Sequence, residues 1–220
     1  MSGRNGKPKV VVLDYGAGNL RSVVRAVEYV AGSAGVDVQV SDDFRALDTA
    51  DACILPGVGA AEDTMNNLDA RGLSGPVTDY IDSGRPFLGV CMGLQALMTA
   101  SEEGGEHPCL DVIPGRVVRL PDDGRKIPHM GWNALQQVRS SPIFDGIPDD
   151  SYFYFLHSYY CVPEQDEVVT ATADYGATIT AVIERDNVIA TQFHPEKSGA
   201  HGLRFYRNFL SSVVPSSAPG

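Results

Sequence analysis

Three short stretches carry side chains that could do chemistry together. The first is Gly89-Val90-Cys91-Met92-Gly93-Leu94-Gln95. An apolar run leads into the cysteine, a helical pattern leaves it, and a glycine stands two residues away on each side. That is the layout of a nucleophile elbow, a sharp strand-to-helix turn that needs small neighbours and lifts its side chain at the carboxyl edge of a sheet. A thiol placed there faces a helix N-terminus, which favours an anion. Burial in a core is the plain alternative, because free cysteine is among the most buried residue types. The second stretch is Gln192-Phe193-His194-Pro195-Glu196. Pro195 keeps His194 extended, and residues two apart on an extended segment point the same way. Glu196 can then fix the tautomer of His194, and His194 can act as base for Cys91, in the order nucleophile, base, orienter. A surface histidine beside a solvated glutamate would read the same. The third stretch is Pro56-Gly57-Val58-Gly59. A glycine-rich turn at a strand end leaves backbone N–H groups free to face an oxyanion, and the N–H of Met92 would be a second donor. An ordinary strand-ending turn has the same spelling.

Other chemistries are excluded by what is missing. Gly16-x-Gly18 follows a strand and opens a helix, but the third glycine of a dinucleotide fingerprint is replaced by Arg21. There is no P-loop and no H-E-x-x-H, and the five histidines are scattered, so no metal and no cofactor are expected. The chain has 17 basic and 28 acidic residues, a net charge of −11, which argues against nucleic acid and anionic membranes as partners. Apolar runs such as residues 10–13 are far too short to span a bilayer, and the polar start of the chain has no secretory h-region. The four cysteines form no C-x-x-C pair and read as free thiols in a reducing cytoplasm.

The elements that must position these residues alternate in the first half. Residues 9–14 read as a buried parallel strand, and Leu20, Val23, Val24, Val27 and Val30 mark one face of a helix. Strands follow at 36–40, 52–55 and 86–90, with a polar helical stretch between 59 and 84 and a helix over 92–100. This predicts an α/β fold: an open, mostly parallel sheet with helices on both faces. From Cys109 to about Gly176 short β signals and turn residues predict an added antiparallel region. A hairpin over 178–193, turning at 184–187, precedes a closing helix with Leu203, Tyr206, Phe209, Leu210 and Val213 on one face. The 220 residues and the lack of a linker predict one domain with its core over about 9–213 and loose ends at 1–8 and 214–220.

Taken together and in this order, the elbow G-x-C-x-G-x-Q and the downstream H-P-E resemble the class I, triad-type glutamine amidotransferases, over about residues 9–210. Within that family the chain is similar to the glutaminase subunits of imidazole glycerol phosphate synthase. Residues 14–23 (D-Y-G-A-G-N-L-R-S-V), 56–59, 128–133 (P-H-M-G-W-N) and 194–198 (H-P-E-K-S) carry the narrower likeness. Related subunits for anthranilate or carbamoyl phosphate usually read P-G-P-G at the turn, where Val58 stands here. Met92 and Leu94 are apolar swaps within the elbow.

The resemblance implies a flavodoxin-like fold and a glutaminase whose catalytic residues are Cys91, His194 and Glu196. Val58, Gly59 and Met92 would form the oxyanion hole, and Gly57, Gln95, Glu103, Ser158 and Tyr159 would bind glutamine. It also implies a TIM-barrel cyclase as partner, which receives ammonia and makes imidazole glycerol phosphate and an aminoimidazole carboxamide ribotide in histidine biosynthesis. Trp132, Tyr160 and Lys197 are the candidates for that interface. His157 reads as strand packing. Because a free subunit that hydrolysed glutamine would waste it, the 56–59 turn is expected to be misplaced until the partner docks.

Overall fold

The computed structural model describes residues 6–214. Its central strand β1 (Lys9–Leu13) shows why the first half forms a covered sheet. Val10 and Val12 point into one core, Val11 and Leu13 into the other. A strand apolar on both faces needs a layer on each side. Helices α1 (Leu20–Ala34) and α5 (Gly199–Ser211) cover the first face, with Val23, Val27, Val30, Phe205, Phe209 and Leu210 in that core. Helices α2 (Ala61–Ala70) and α3 (Ser74–Asp82) serve the second, through Leu68, Val77, Tyr80 and Ile81.

The remaining elements of the first half are β2 (Asp37–Ser41), β3 (Ala52–Leu55), β4 (Phe87–Val90) and the single turn α4 (Met92–Gln95). The second half supplies β5 (Met98–Ser101), β6 (His107–Pro108), β7 (Ile113–Arg119), β8 (His129–Ala134) and β9 (Gln136–Gln137). It continues with β10 (Tyr152–His157), β11 (Tyr159–Pro163), β12 (Val169–Asp174), β13 (Thr178–Arg185) and β14 (Val188–Thr191). The main sheet has the order β2-β1-β3-β4-β14-β13-β12-β9. Its first five strands are parallel and the rest antiparallel. A four-stranded sheet, β11-β7-β5-β6, and the antiparallel pair β10-β8 form the added β region. The expected α/β sheet with an antiparallel addition is therefore what the chain builds. Among the described residues no helix is long and apolar enough to cross a membrane.

Two expected helices differ. The helix over 92–100 stops after one turn, because Met98 and Ala100 are buried while Thr99 is exposed, a period of two. The Leu97 carbonyl accepts hydrogen bonds from the N–H groups of Val112 and Ile113, at 2.9 and 2.8 Å, and the chain leaves as β5 beside β7. The polar stretch after residue 59 is two helices instead of one. It breaks at Gly72, in the left-handed region at φ 60°, which lets the buried Leu73 turn back to bond the Leu68 carbonyl. The loose ends expected at 1–8 and 214–220 fall mostly outside the described residues.

Candidate active site

Strands β1, β3, β4 and β14 lie side by side and parallel, so their carboxyl ends share one edge of the sheet. That edge is where open α/β folds place ligands. The turn 56–59 follows β3, Cys91 follows β4, and His194 lies three residues past β14. Topology thus gathers residues that are more than a hundred positions apart in sequence.

Cys91 sits at φ 54°, ψ −100°, a strained conformation for a residue with a side chain. Both flanking glycines are required by sterics. A Cβ on Gly89 would lie 2.7 Å from the Gly93 carbonyl oxygen, and one on Gly93 would lie 2.0 Å from that of Leu55. The thiol is buried and lies 3.9 Å from the Leu156 carbonyl, and Gln192 Nε2 donates toward Sγ at 3.7 Å. Since α4 is one turn long, it carries little macrodipole, and the partner for the thiol proton has to be a side chain.

His194 is the side chain placed beside the sulfur. Its Nδ1 lies 2.8 Å from Glu196 Oε1, and the two side chains are 1% and 0% exposed. The spacing works through a short 3-10 turn, Pro195–Lys197, and not along an extended strand. The His194 N–H donates to the Tyr154 carbonyl at 2.9 Å and its carbonyl accepts from Ser198 Oγ at 2.7 Å, so the backbone is held from both sides. Burial alone would pull this imidazole down, but the facing Cys91 sulfur and the Glu196 carboxylate outweigh it and push it up to about 10. Nε2 is buried, with the Cys91 sulfur as the one side chain it faces, outside ordinary hydrogen-bond geometry.

Glu196 is held by residues that the sequence reading did not single out. Asn19 Nδ2 donates to Oε1 at 2.5 Å, and Tyr206 Oη donates to Oε2 at 3.2 Å. Asn19 lies in the D-Y-G-A-G-N stretch, at φ 67°, where asparagine is tolerated better than other side chains. Tyr206 gave no signal, because on the apolar face of α5 an aromatic reads as core. A buried carboxylate needs this many donors to stay charged.

A cavity of about 230 Å3 opens beside Cys91. Val58, Gly59, Met92, Gln95, Glu103, Ser158 and Tyr159 line it, with Pro128, Leu156 and His157. Gly57 does not line it; it is packed behind the turn, where a Cβ would lie 2.1 Å from Tyr15 Oη and 2.8 Å from Met92 Cβ. Gln95 Nε2 donates to the Tyr159 carbonyl at 2.9 Å and to Gln192 Oε1 at 3.2 Å, which leaves its own Oε1 buried and unpartnered. Glu103 Oε2 accepts from the Ala61 N–H at 2.7 Å, at the start of α2. His157, expected only to pack, forms part of the wall. Val58, Gly59 and Met92, expected to serve an oxyanion, lie together, and the Met92 N–H donates to the Gly57 carbonyl at 3.4 Å. Gly59 lies at φ 124°, which admits neither proline nor an ordinary side chain without strain. Among the described residues no group of three or more His, Cys, Asp or Glu could hold a metal ion.

Of the interface candidates, Trp132 is 54% exposed and meets Tyr154 edge-on at 6.2 Å, while Lys197 Nζ lies 5.6 Å above the same Tyr154 ring. Met130 and Tyr152 extend this patch. Tyr160 is not in that cluster; it lines a groove with Val138, Arg139 and Val162.

The family model for class I glutamine amidotransferases matches residues 11–213. The imidazole glycerol phosphate synthase subunit HisH of Syntrophotalea carbinolica is 52% identical over 206 residues, covering 91% of this chain and 98% of the relative. The subunit of the same name from Methanothermobacter thermautotrophicus is 48% identical, covering 93% and 98%. Among solved structures, PurLQS from Thermotoga maritima superposes with a TM-score of 0.72 at 18% identity, over 94% of this chain and 100% of that one, a likeness of fold. This chain belongs to the class I glutamine amidotransferase family and, within it, to the group of imidazole glycerol phosphate synthase subunits HisH.

Proposed function

We propose that Cys91, His194 and Glu196 hydrolyse the side-chain amide of glutamine in the glutaminase subunit of imidazole glycerol phosphate synthase. The observation that carries this is the buried His194–Glu196 pair facing Cys91 at the mouth of a cavity large enough for one amino acid. His194, raised by the sulfur and the carboxylate beside it, takes the Cys91 proton as the sulfur attacks the amide carbon. The amide carbonyl oxygen becomes the oxyanion, and His194 Nε2 gives its proton to the leaving nitrogen. Ammonia departs, and water activated by His194 then hydrolyses the glutamyl thioester to glutamate. Glu196, fixed by Asn19 and Tyr206, keeps Nδ1 protonated and Nε2 aimed at the reacting atoms. Gln95, Glu103, Ser158 and Tyr159 hold the substrate.

The oxyanion turn stands in a resting form. While the Gly57 carbonyl accepts from the Met92 N–H, Val58 cannot present its own N–H to the same space. Turning over the Gly57–Val58 peptide frees Met92 and brings in the Val58 N–H. One such donor is worth about 3–4 kcal/mol in other hydrolases. Docking of the cyclase and its ribonucleotide shifts the turn toward that form.

Ammonia released into water near neutral pH would be protonated and lose its nucleophilicity. A partner seated over the exit solves this. Met130, Trp132, Tyr152 and Tyr154 lie on one exposed face of the β8–β10 pair, and Leu156 on the same face lines the cavity. The TIM-barrel cyclase docks there, with Trp132 as anchor and Lys197 available to an acidic group. Tyr160 lies away from this face, in the groove with Val138, Arg139 and Val162. The chain acts as one domain, since β12–β14 complete the sheet that β1–β4 begin, and works in the cytoplasm with its thiols free. Co-expression with the cyclase subunit tests the reading: glutamine-dependent formation of imidazole glycerol phosphate is expected, and its absence in an intact complex would refute it.

A further inference from the structure

Tyr15 is 1% exposed, and its Oη is one of the few buried polar atoms without a hydrogen-bond partner. Buried hydroxyls are nearly always satisfied, so an orphan calls for an explanation. The Thr64 hydroxyl lies within hydrogen-bonding reach of the phenol, but the contact falls short of ordinary hydrogen-bond geometry. Burial raises the phenol far above its usual range, so it is a proton donor at every working pH.

What Oη does touch is the turn. It packs against the Cα of Gly57, at a place where any Cβ would overlap it at 2.1 Å. The same loop reaches the turn a second time, where a Cβ on Gly18 would lie 2.9 Å from Val58 Cγ2. The residues of the 15–19 loop are therefore moulded around the peptide that has to turn over.

Resting on the reading of that turn given above, we propose that Tyr15 is a positioning residue that receives the Gly57 carbonyl in the competent form. In the resting form this carbonyl is paired with the Met92 N–H, and Tyr15 Oη has only the Thr64 hydroxyl near it, outside ordinary hydrogen-bond geometry. After the peptide turns over, the carbonyl would lose Met92 and be left buried without a donor. The Tyr15 O–H, already against Gly57, supplies one. The exchange leaves the Met92 and Val58 N–H groups free for the oxyanion and satisfies both the carbonyl and the phenol. Gly57 is needed for this as much as for rotation, because a side chain there would push Tyr15 away.

Tyr15→Phe tests the proposal, since it keeps the ring and its packing and removes only the donor. Glutaminase kcat and KM are measured for the isolated chain, and for its complex with the cyclase carrying the ribonucleotide. The ratio of the liganded rate to the resting rate is expected to fall roughly five- to tenfold in the variant, the population shift that follows from losing one buried hydrogen bond. The fall should lie in kcat, with KM changed less than twofold and the melting temperature not lowered. An unchanged ratio in the variant, with the unsubstituted complex still stimulated, overturns the role of Tyr15 and leaves the gating of the turn standing. An equal fall in both rates shows a merely structural role and also overturns it. If the unsubstituted complex shows no stimulation, the gated turn itself fails and the proposal with it.

Discussion

Two groups of buried imidazoles, one facing Cys91 and one reaching the cavity wall through His157, are driven in opposite directions. His194 faces a sulfur and a carboxylate and is pushed up to about 10. His157 and His129 face each other. Burial, and then the neighbouring ring, pull His157 down to about 3, and burial pulls His129 to about 4. His157 Nδ1 lies 2.9 Å from the Tyr159 carbonyl and must carry the proton, so its Nε2 accepts from His129 Nδ1 at 3.1 Å. His129 is stacked between Phe155 and Tyr175, with ring centroids 4.9 and 3.9 Å away. Both are neutral; His157 lines the cavity and His129 holds its ring from the side. The contrast teaches that burial by itself makes a histidine structural. Only a facing anion, itself held in place, makes it chemical.

The largest effect comes from breaking the charged region. Cys91→Ser should cost at least about 10,000-fold in glutaminase kcat in the complex, as loss of a triad nucleophile does elsewhere, while binding to the cyclase is retained. A glutamine-like electrophile should label Cys91 alone. Burial raises Cys53 and Cys161 well above an ordinary thiol and Cys109 to about 11, so all three stay protonated and unreactive. Equal labelling of all four by mass spectrometry would remove Cys91 from its role.

His194→Ala should come close to that loss, and Glu196→Gln should be milder by roughly a hundredfold, because the carboxylate orients and the imidazole moves protons. Steady-state kinetics on both variants decide it, and a more damaging Glu196→Gln would reverse the roles.

The next effect sharpens the comparison through pH. A raised histidine contributes stability that is complete below its unfolded value, about 6.5, and is lost as pH rises through about 10. Thermal stability should therefore decline across that window. In Cys91→Ser, which removes the sulfur that raises it, the His194 ring should titrate lower by NMR and the decline should flatten. An unchanged His194 titration would show that the sulfur is not what raises it.

The smallest effect lies on the neutral side. Because the folded chain refuses protons at His129 and His157 that the unfolded chain accepts, stability is complete above about pH 6.5. It falls as the medium is acidified toward pH 3–4. His129→Phe keeps the ring stack and removes one of the two groups. It should cost about 1 kcal/mol at neutral pH through the lost hydrogen bond and make the acid limb of a Tm-versus-pH curve shallower. A steeper limb would contradict neutral burial.

Much of the architecture was written in local pattern. Alternating cores in residues 10–13, the valine stripe of α1 and the glycines around Cys91 each state a backbone requirement that holds whatever the rest of the chain does. The spelling of the elbow and of H-P-E singled out Cys91, His194 and Glu196, and the fold sets the His194 and Glu196 side chains 2.8 Å apart beside Cys91. What only the tertiary structure decided was which groups meet across sheet neighbours. Asn19 reaches Glu196 across 177 residues, and Gln192 reaches Cys91 across 101. Helix α4 ended early because β7 offered Met98 hydrogen bonds that no helical periodicity could foresee. The orientation of the 57–58 peptide was likewise beyond reach, since glycine permits both senses and the Gly57 carbonyl is paired with the Met92 N–H, a contact made by folding.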